Sequence, residues 1–169
     1  VLEKYVEECP INQTQMIEMI LILLFNLEEI PNYKSKPDAK DCEFVLGQFC
    51  QEMIQKETYS FSREQFIRKL KAYCTDKLIE LEVELVFDIL HKNNIIVMRF
   101  ETYSFRYSYW IFFFAAKRMY HDKEFSKYVL SNQKYANFPE VIDFYTGIDR
   151  QRIDAMEILF DDIRNLADK

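Results

Sequence analysis

Glycine is almost missing from this sequence: Gly47 and Gly147 are the only two in 169 residues, and proline occurs four times. Turns that need φ > 0 draw on glycine. Few such turns are therefore expected, which disfavours a strand-rich fold and favours helices. The same scarcity excludes a phosphate-cradling GxxxxGK[ST] loop, which needs two glycines five residues apart. Histidine is nearly as rare, and His91 and His121 stand alone. Each reads as a surface or cap residue rather than a base or a metal ligand. Ser104 and Ser108 lack a nucleophile-elbow context. The carboxylate pairs Glu28–Glu29 and Asp161–Asp162 are adjacent in sequence, so on a helix they point about 100° apart and form no acid/base pair across a cleft. Catalysis by this chain is not expected.

Cysteine is limited to Cys9, Cys42, Cys50 and Cys74, with no CxxC spacing. That usage fits free thiols in a reducing, cytoplasmic compartment rather than a disulfide framework or a zinc site. No signal-peptide pattern is present. The longest apolar run, residues 19–25, is far short of the roughly 20 residues a membrane helix needs. The chain opens on Val1 rather than Met and closes on a charged helical stretch, which suggests a piece of a longer protein.

What is present is aromatic and acidic. Fifteen Phe and eleven Tyr accompany a hydrophobic content of 49% and a charged content of 30%, the balance of a folded domain. Each buried Phe contributes about 1.5–3 kcal/mol. The net charge is −6 and the isoelectric point is near 5.1, so the chain as a whole is not steered toward phosphate backbones.

Residues 95–120 organise the rest. IIVMRF, a corner at Glu101–Thr102 and YSFRY read as a β-hairpin, with Tyr103, Phe105 and Tyr107 alternating against Thr102, Ser104 and Arg106. SYWIFFFAAKRMY follows as a helix apolar all round for two turns, including Trp110, Phe113 and Phe114. Such a helix must be covered on several sides, and it has more apolar surface than a small winged helix can bury. A lid from a neighbouring domain is expected.

Earlier in the chain, Asn12 or Thr14 can cap a helix over 15–28 that is apolar on nearly all faces, either a core helix or one lacking its covering partner. Residues 31–40 read as a linker. Asp41 is expected to cap a helix over 43–55. Residues 58–61 form a short extended bridge, and Ser62 with Gln65 makes a capping box for a helix to about Cys74. A third helix runs from Leu78 or Glu80 to His91, closed by Asn93–Asn94. Helices over 124–130, 138–145 (Pro139 at its start, Gly147 ending it) and 150–166 complete the chain. The last carries Ile153, Met156, Leu159, Phe160 and Ile163 on one face.

The expected fold is mainly α: a winged helix, three helices plus a short β-hairpin, over residues 41–120, with a helical lead-in over 1–40 and a helical extension over 121–169. In a DNA-reading module the third helix enters the major groove and needs basic or amide side chains. Here it offers Glu80, Glu82, Glu84 and Asp88. DNA is therefore not the expected partner. Arg63, Arg68, Lys69, Lys71 and Lys77 lie one helix earlier, as a contact for an acidic partner or as a solvated face.

TYSFRYSYWIFFFAA, residues 102–116, resembles the junction of wing strand and helix in STAND NTPases (signal-transduction ATPases with numerous domains), including NACHT-type proteins. Phe105–Arg106–Tyr107 matches the strand pattern and Phe113–Phe114–Ala115–Ala116 the aromatic helix; PEVIDFYTGIDR resembles the helical region that follows in bacterial members. The resemblance runs from about Glu43 to Leu166. It implies a non-catalytic regulatory region that docks on an ATPase core and helps hold a closed, ADP-bound state. Release would permit ATP binding and homo-oligomerisation, in bacterial members often for antiviral defence or signalling. ATP or ADP would belong to the parent protein, not to this region. The family's nucleotide-sensing histidine falls at Tyr107, whose hydroxyl can donate a hydrogen bond but carries no switchable charge. Met119, His121 and Asp122 echo the Met-His-Asp motif of plant receptors, but Tyr120 interrupts it and the motif is not carried over. Trp110, Phe113 and Phe114 are the expected docking contacts, with Arg63, Arg68 and Lys69 as a second surface. A DNA-binding regulator and a free-standing helical adaptor are the rival readings.

Overall fold

The structure is a computed structural model that describes residues 12–27, 37–149 and 153–167. The elements in order are α1 (Gln13–Leu27), α2 (Ala39–Lys56), α3 (Arg63–Lys77), α4 (Val83–Lys92), β1 (Ile96–Arg99), β2 (Thr102–Phe105), α5 (Ser108–His121), α6 (Lys123–Leu130), a 3-10 turn (Ser131–Asn137), α7 (Pro139–Ile148) and α8 (Asp154–Ala167). The chain is mainly helical with one two-stranded antiparallel hairpin, as its composition indicated.

Local chemistry sets most of the boundaries. Asn12 caps α1, its side-chain oxygen accepting from the Gln15 N–H at 2.9 Å. Asp38, not Asp41, caps α2, accepting from the N–H groups of Lys40 and Asp41; Asp41 falls inside the first turn, where its charge complements the helix dipole. The capping box of Ser62 and Gln65 is formed. That helix continues three residues past Cys74, to Lys77, and Leu78 ends it in a left-handed conformation. α4 consequently starts later than expected, at Val83.

The glycine-based expectation of few φ > 0 turns fails in an instructive way. Glu57, Leu78, Asn94, Phe100, Glu101, Asn132 and Gln133 all adopt positive φ, and neither glycine does. Side chains that clash in this region, at about 1–2 kcal/mol each, close the helices and the hairpin. Gly147 does not end α7; it lies inside it. There the missing Cβ admits α1, because a Cβ would stand 2.3 Å from the Thr14 hydroxyl oxygen. Thr14 donates to the Phe144 carbonyl at 3.3 Å, and Asn12 Nδ2 to the Gly147 carbonyl at 3.0 Å.

The hairpin pairs Ile96 with Phe105 through Arg99 with Thr102. Its two-residue turn is therefore Phe100–Glu101, one residue earlier than expected. The bridge residue Phe61 exchanges both backbone hydrogen bonds with Tyr103, adding a third short rung to the sheet.

α5 lies at the centre of the core, packed most extensively between α2 and α7. Trp110, Phe113, Phe114, Ala115, Ala116 and Met119 are all buried. The expected need for an outside lid is thus met within the chain. Phe144 of α7 meets the Phe113 ring edge-on at 5.8 Å, and β2 supplies Phe105 against Phe114. α2 approaches so closely that a Cβ on Gly47 would stand 3.1 Å from the Phe114 carbonyl oxygen. The buried residues from α1 to α8 form one cluster.

Phe113→Ala is expected to destabilise the chain by about 3–5 kcal/mol, as deletion of a buried Phe does, read as a lowered denaturant midpoint. Phe160→Ala, at an exposed position, should change the stability of the monomer by less than about 1 kcal/mol.

Candidate functional site

The residues singled out in the sequence fall into three groups. Trp110, Phe113 and Phe114 are interior and offer a partner nothing. This corrects the expectation that they dock. The helix is apolar all round because α2, α7 and the hairpin surround it.

The basic patch on α3 is largely occupied by the chain's own carboxylates. Arg63 pairs with Asp88 of α4 at 3.3 Å and lies over the Phe87 ring. Lys71 pairs with Glu84. Lys69 and Lys56 share the Glu52 carboxylate, each at 2.9 Å. Of the expected patch, Arg68 makes no ion pair among the described residues. The acidic outer face of α4 thus serves to hold α3.

Tyr107 and the hairpin remain. Tyr107 is the residue before α5, in extended backbone, half-exposed and without a capping hydrogen bond. Its ring stacks on Tyr109 at 5.6 Å with an interplanar angle of 12°, and the Arg106 guanidinium lies 5.4 Å from its centre. The hairpin is rooted in an aromatic cluster: Tyr103 meets Phe87 at 5.0 Å and His91 at 5.5 Å, both edge-on. Its tip is bare. Met98 is 59% exposed and Phe100 100% exposed, with Arg99 between them also at the surface; Arg106 is exposed at the root end, where its N–H donates to the Ile95 carbonyl. A phenylalanine held at φ 47° with its whole ring in water combines backbone strain with unburied apolar area, and strained positions cluster at functional sites. The alternation of strand residues predicted the buried root but not the bare tip, because the turn lies one residue from its expected place.

The sequence reading also missed a partly buried ion cluster. Lys117, at the end of the apolar run of α5, reaches Glu18 of α1 and, at 3.2 Å, Glu43 of α2. Arg118 beside it donates to Gln51 at 2.8 Å, to the Tyr73 hydroxyl at 3.0 Å and to Asp122 at 2.5 Å. Together they tie α1, α2, α3 and the cap of α6 to α5. The signal was legible: two adjacent cations directly after eight apolar residues. Asp41, Glu43, Lys117 and His121 line a cleft of about 410 Å³, in which the Glu43 carboxylate is engaged by Lys117. Burial pushes the His121 imidazole down, helped by Lys117 and Arg118. Cys42, Cys50 and Cys74 are free and buried, and burial raises their thiols; Cys9, Glu28 and Glu29 lie outside the described residues. No group of three or more His, Cys, Asp or Glu among the described residues is placed to hold a metal ion. No helix among them is long and apolar enough to cross a membrane.

A family model described as Novel STAND NTPase 4 matches residues 59–115, about a third of the chain. That segment runs from the Phe61 bridge through α3, α4 and the hairpin into the first half of α5, so it spans the bare tip and Tyr107. It supports a STAND NTPase-associated region. Neither a curated protein nor a solved structure matches the chain.

Two carboxylates of the ion pairs give opposite pH signatures. Burial holds Glu43 above its ordinary value of 4.5, against the pull of Lys117. Its stabilising contribution is therefore full in acid and lost as pH rises through the elevated folded value, so Glu43→Gln should gain on the wild type between about pH 4 and pH 7. Burial also pushes Glu52 up, but the hydrogen bonds and charges of Lys69 and Lys56 more than reverse it, leaving it below 4.5. Its contribution is present above the unfolded value and lost as pH falls through the depressed one. Glu52→Gln should therefore be costliest at neutral pH. Urea midpoints across that range measure both.

Proposed function

We propose that this chain is the winged-helix region and helical extension of a STAND-type NTPase, and that it regulates by docking its hairpin on a nucleotide-binding core. The family match over residues 59–115 carries the reading. The element order α2, bridge, α3, α4, hairpin supports it, being that of a winged helix. This sequence has no phosphate-cradling loop, so its own part in nucleotide chemistry is limited to the Tyr107 hydroxyl. That group makes no hydrogen bond among the described residues and is available as a donor to a bound nucleotide.

With the α5 aromatics enclosed, the docking surface falls to Met98, Arg99 and Phe100 at the hairpin tip, with Arg106 and Tyr107 at its root end. Shifting a two-state balance from 1:99 to 99:1 takes about 5.5 kcal/mol of differential binding. Burying Phe100 and Met98 contributes about 1.5–3 kcal/mol each, which brings the hairpin tip alone close to that figure. The surface is apolar and cationic, so the matching face on the core is apolar with carboxylates at its rim. A DNA-reading role is not favoured, because Glu84 and Asp88 occupy the outer face of α4 and are bound to α3.

Phe100→Gly separates docking from folding. Glycine relieves the left-handed strain, so the isolated chain should gain about 1 kcal/mol while losing the docking ring. In the protein that carries the nucleotide-binding core, basal nucleotide exchange should rise several-fold. Exchange that stays at the wild-type rate would overturn the docking role. A low-salt gel shift showing tight, sequence-dependent binding would restore the DNA reading.

A further inference from the structure

A row of exposed apolar residues runs along α8. Ala155 is buried and Leu159 half-buried against the body. Tyr145 donates to Asp154 at 2.8 Å and Tyr135 to Asp162 at 2.7 Å, so the orientation of the helix is set. Four apolar side chains point to solvent along one stripe: Ile153, Met156, Phe160 at 67% and Ile163 at 61% exposed; Ile158, also exposed, lies off it. With Ala167 they recur at intervals of three, four, three and four residues, the a/d spacing of a two-helix seam. The sequence predicted this stripe; the structure leaves it uncovered.

We propose that a second copy of this chain covers it, the two α8 helices pairing antiparallel about a two-fold axis. The charges on the seam's outer flank select that occupant. Glu157 and Arg164 are seven residues apart and so share one edge of the stripe. With the axis between residues 160 and 163, Phe160 of each copy meets Ile163 of the other, and Met156 meets Ala167. Glu157 of each then lies beside Arg164 of the other, twice over. Slipping the register by one heptad sets Glu157 against Glu157. The flank is therefore self-complementary in this unslipped arrangement. An anionic membrane surface is a poor alternative, because the polar side of α8 carries Asp154, Glu157, Asp161 and Asp162 and interfacial helices use Lys and Arg there. The proposal is independent of hairpin docking and uses none of its residues.

Sedimentation equilibrium of the chain tests it. The wild type should show a concentration-dependent monomer–dimer equilibrium, and Phe160→Glu should weaken it at least about tenfold, with a thermal melt matching the wild type's at concentrations where both are monomeric. Glu157→Arg places two cations on the flank and Arg164→Glu two anions, so each variant alone should dimerise about tenfold more weakly than the wild type. Their equimolar mixture should recover wild-type association, because each then supplies the other's counter-charges. A wild type that stays monomeric, a dimer indifferent to Phe160→Glu, or a mixture no better than its components would overturn the proposal. So would binding to anionic vesicles in place of self-association.

Discussion

The close crossing of α2 over α5 at Gly47 is the constraint from which the rest of this structure follows. A helix backbone can approach another within van der Waals contact only where a side chain is missing, and here the Phe114 carbonyl and the Arg118 Cβ occupy the space a Cβ would need. That contact buries the small residues Ala115 and Ala116 and directs Phe113 toward α7 and Phe114 toward the hairpin. It also brings Lys117 within reach of two carboxylates on different helices. A single apolar helix thus becomes the shared wall of every other element.

The hairpin is held by chemistry of a different kind. Two antiparallel strands of four residues each are marginal by themselves. Phe61 adds a rung through backbone hydrogen bonds, and Phe87, His91 and Phe105 pack around Tyr103 and Phe61 edge-on. The rigid root lets the tip keep Phe100 and Glu101 in left-handed conformations. The same economy of glycine recurs at Glu57, Leu78, Asn132 and Gln133, exposed residues held at positive φ; Glu57 and Leu78 close their helices through backbone hydrogen bonds.

Charge is used mostly inward. α4 presents carboxylates where a DNA reader would present cations, and they bind the adjacent basic helix. Among the exposed apolar residues, two groups stand out: Met98 and Phe100 beside Arg99 at the hairpin tip, and the stripe of Ile153, Met156, Phe160 and Ile163 along α8. They lie on separate elements, so an event at one need not block the other.

Helix identity, the Ser62–Gln65 capping box, the Pro139 start of α7 and the hairpin were all legible in the sequence, because capping, proline geometry and hydrophobic period act over three or four neighbouring residues. The α8 stripe was equally plain. What periodicity cannot encode is which element lies opposite. It marked Phe113 and Phe160 alike as apolar and left open that one faces Phe144 and the other faces water. It marked Arg63, Lys69 and Lys71 as basic without revealing the carboxylates that bind them, since these come from helices up to 25 positions away. It assigned Gly147 to a helix end because nothing local announces a neighbour 133 positions earlier in the chain, Thr14, pressed against it. Local stereochemistry alone determined the elements of this protein; exposure, pairing and the close approaches at its two glycines were decided only when the chain folded, because they depend on long-range packing.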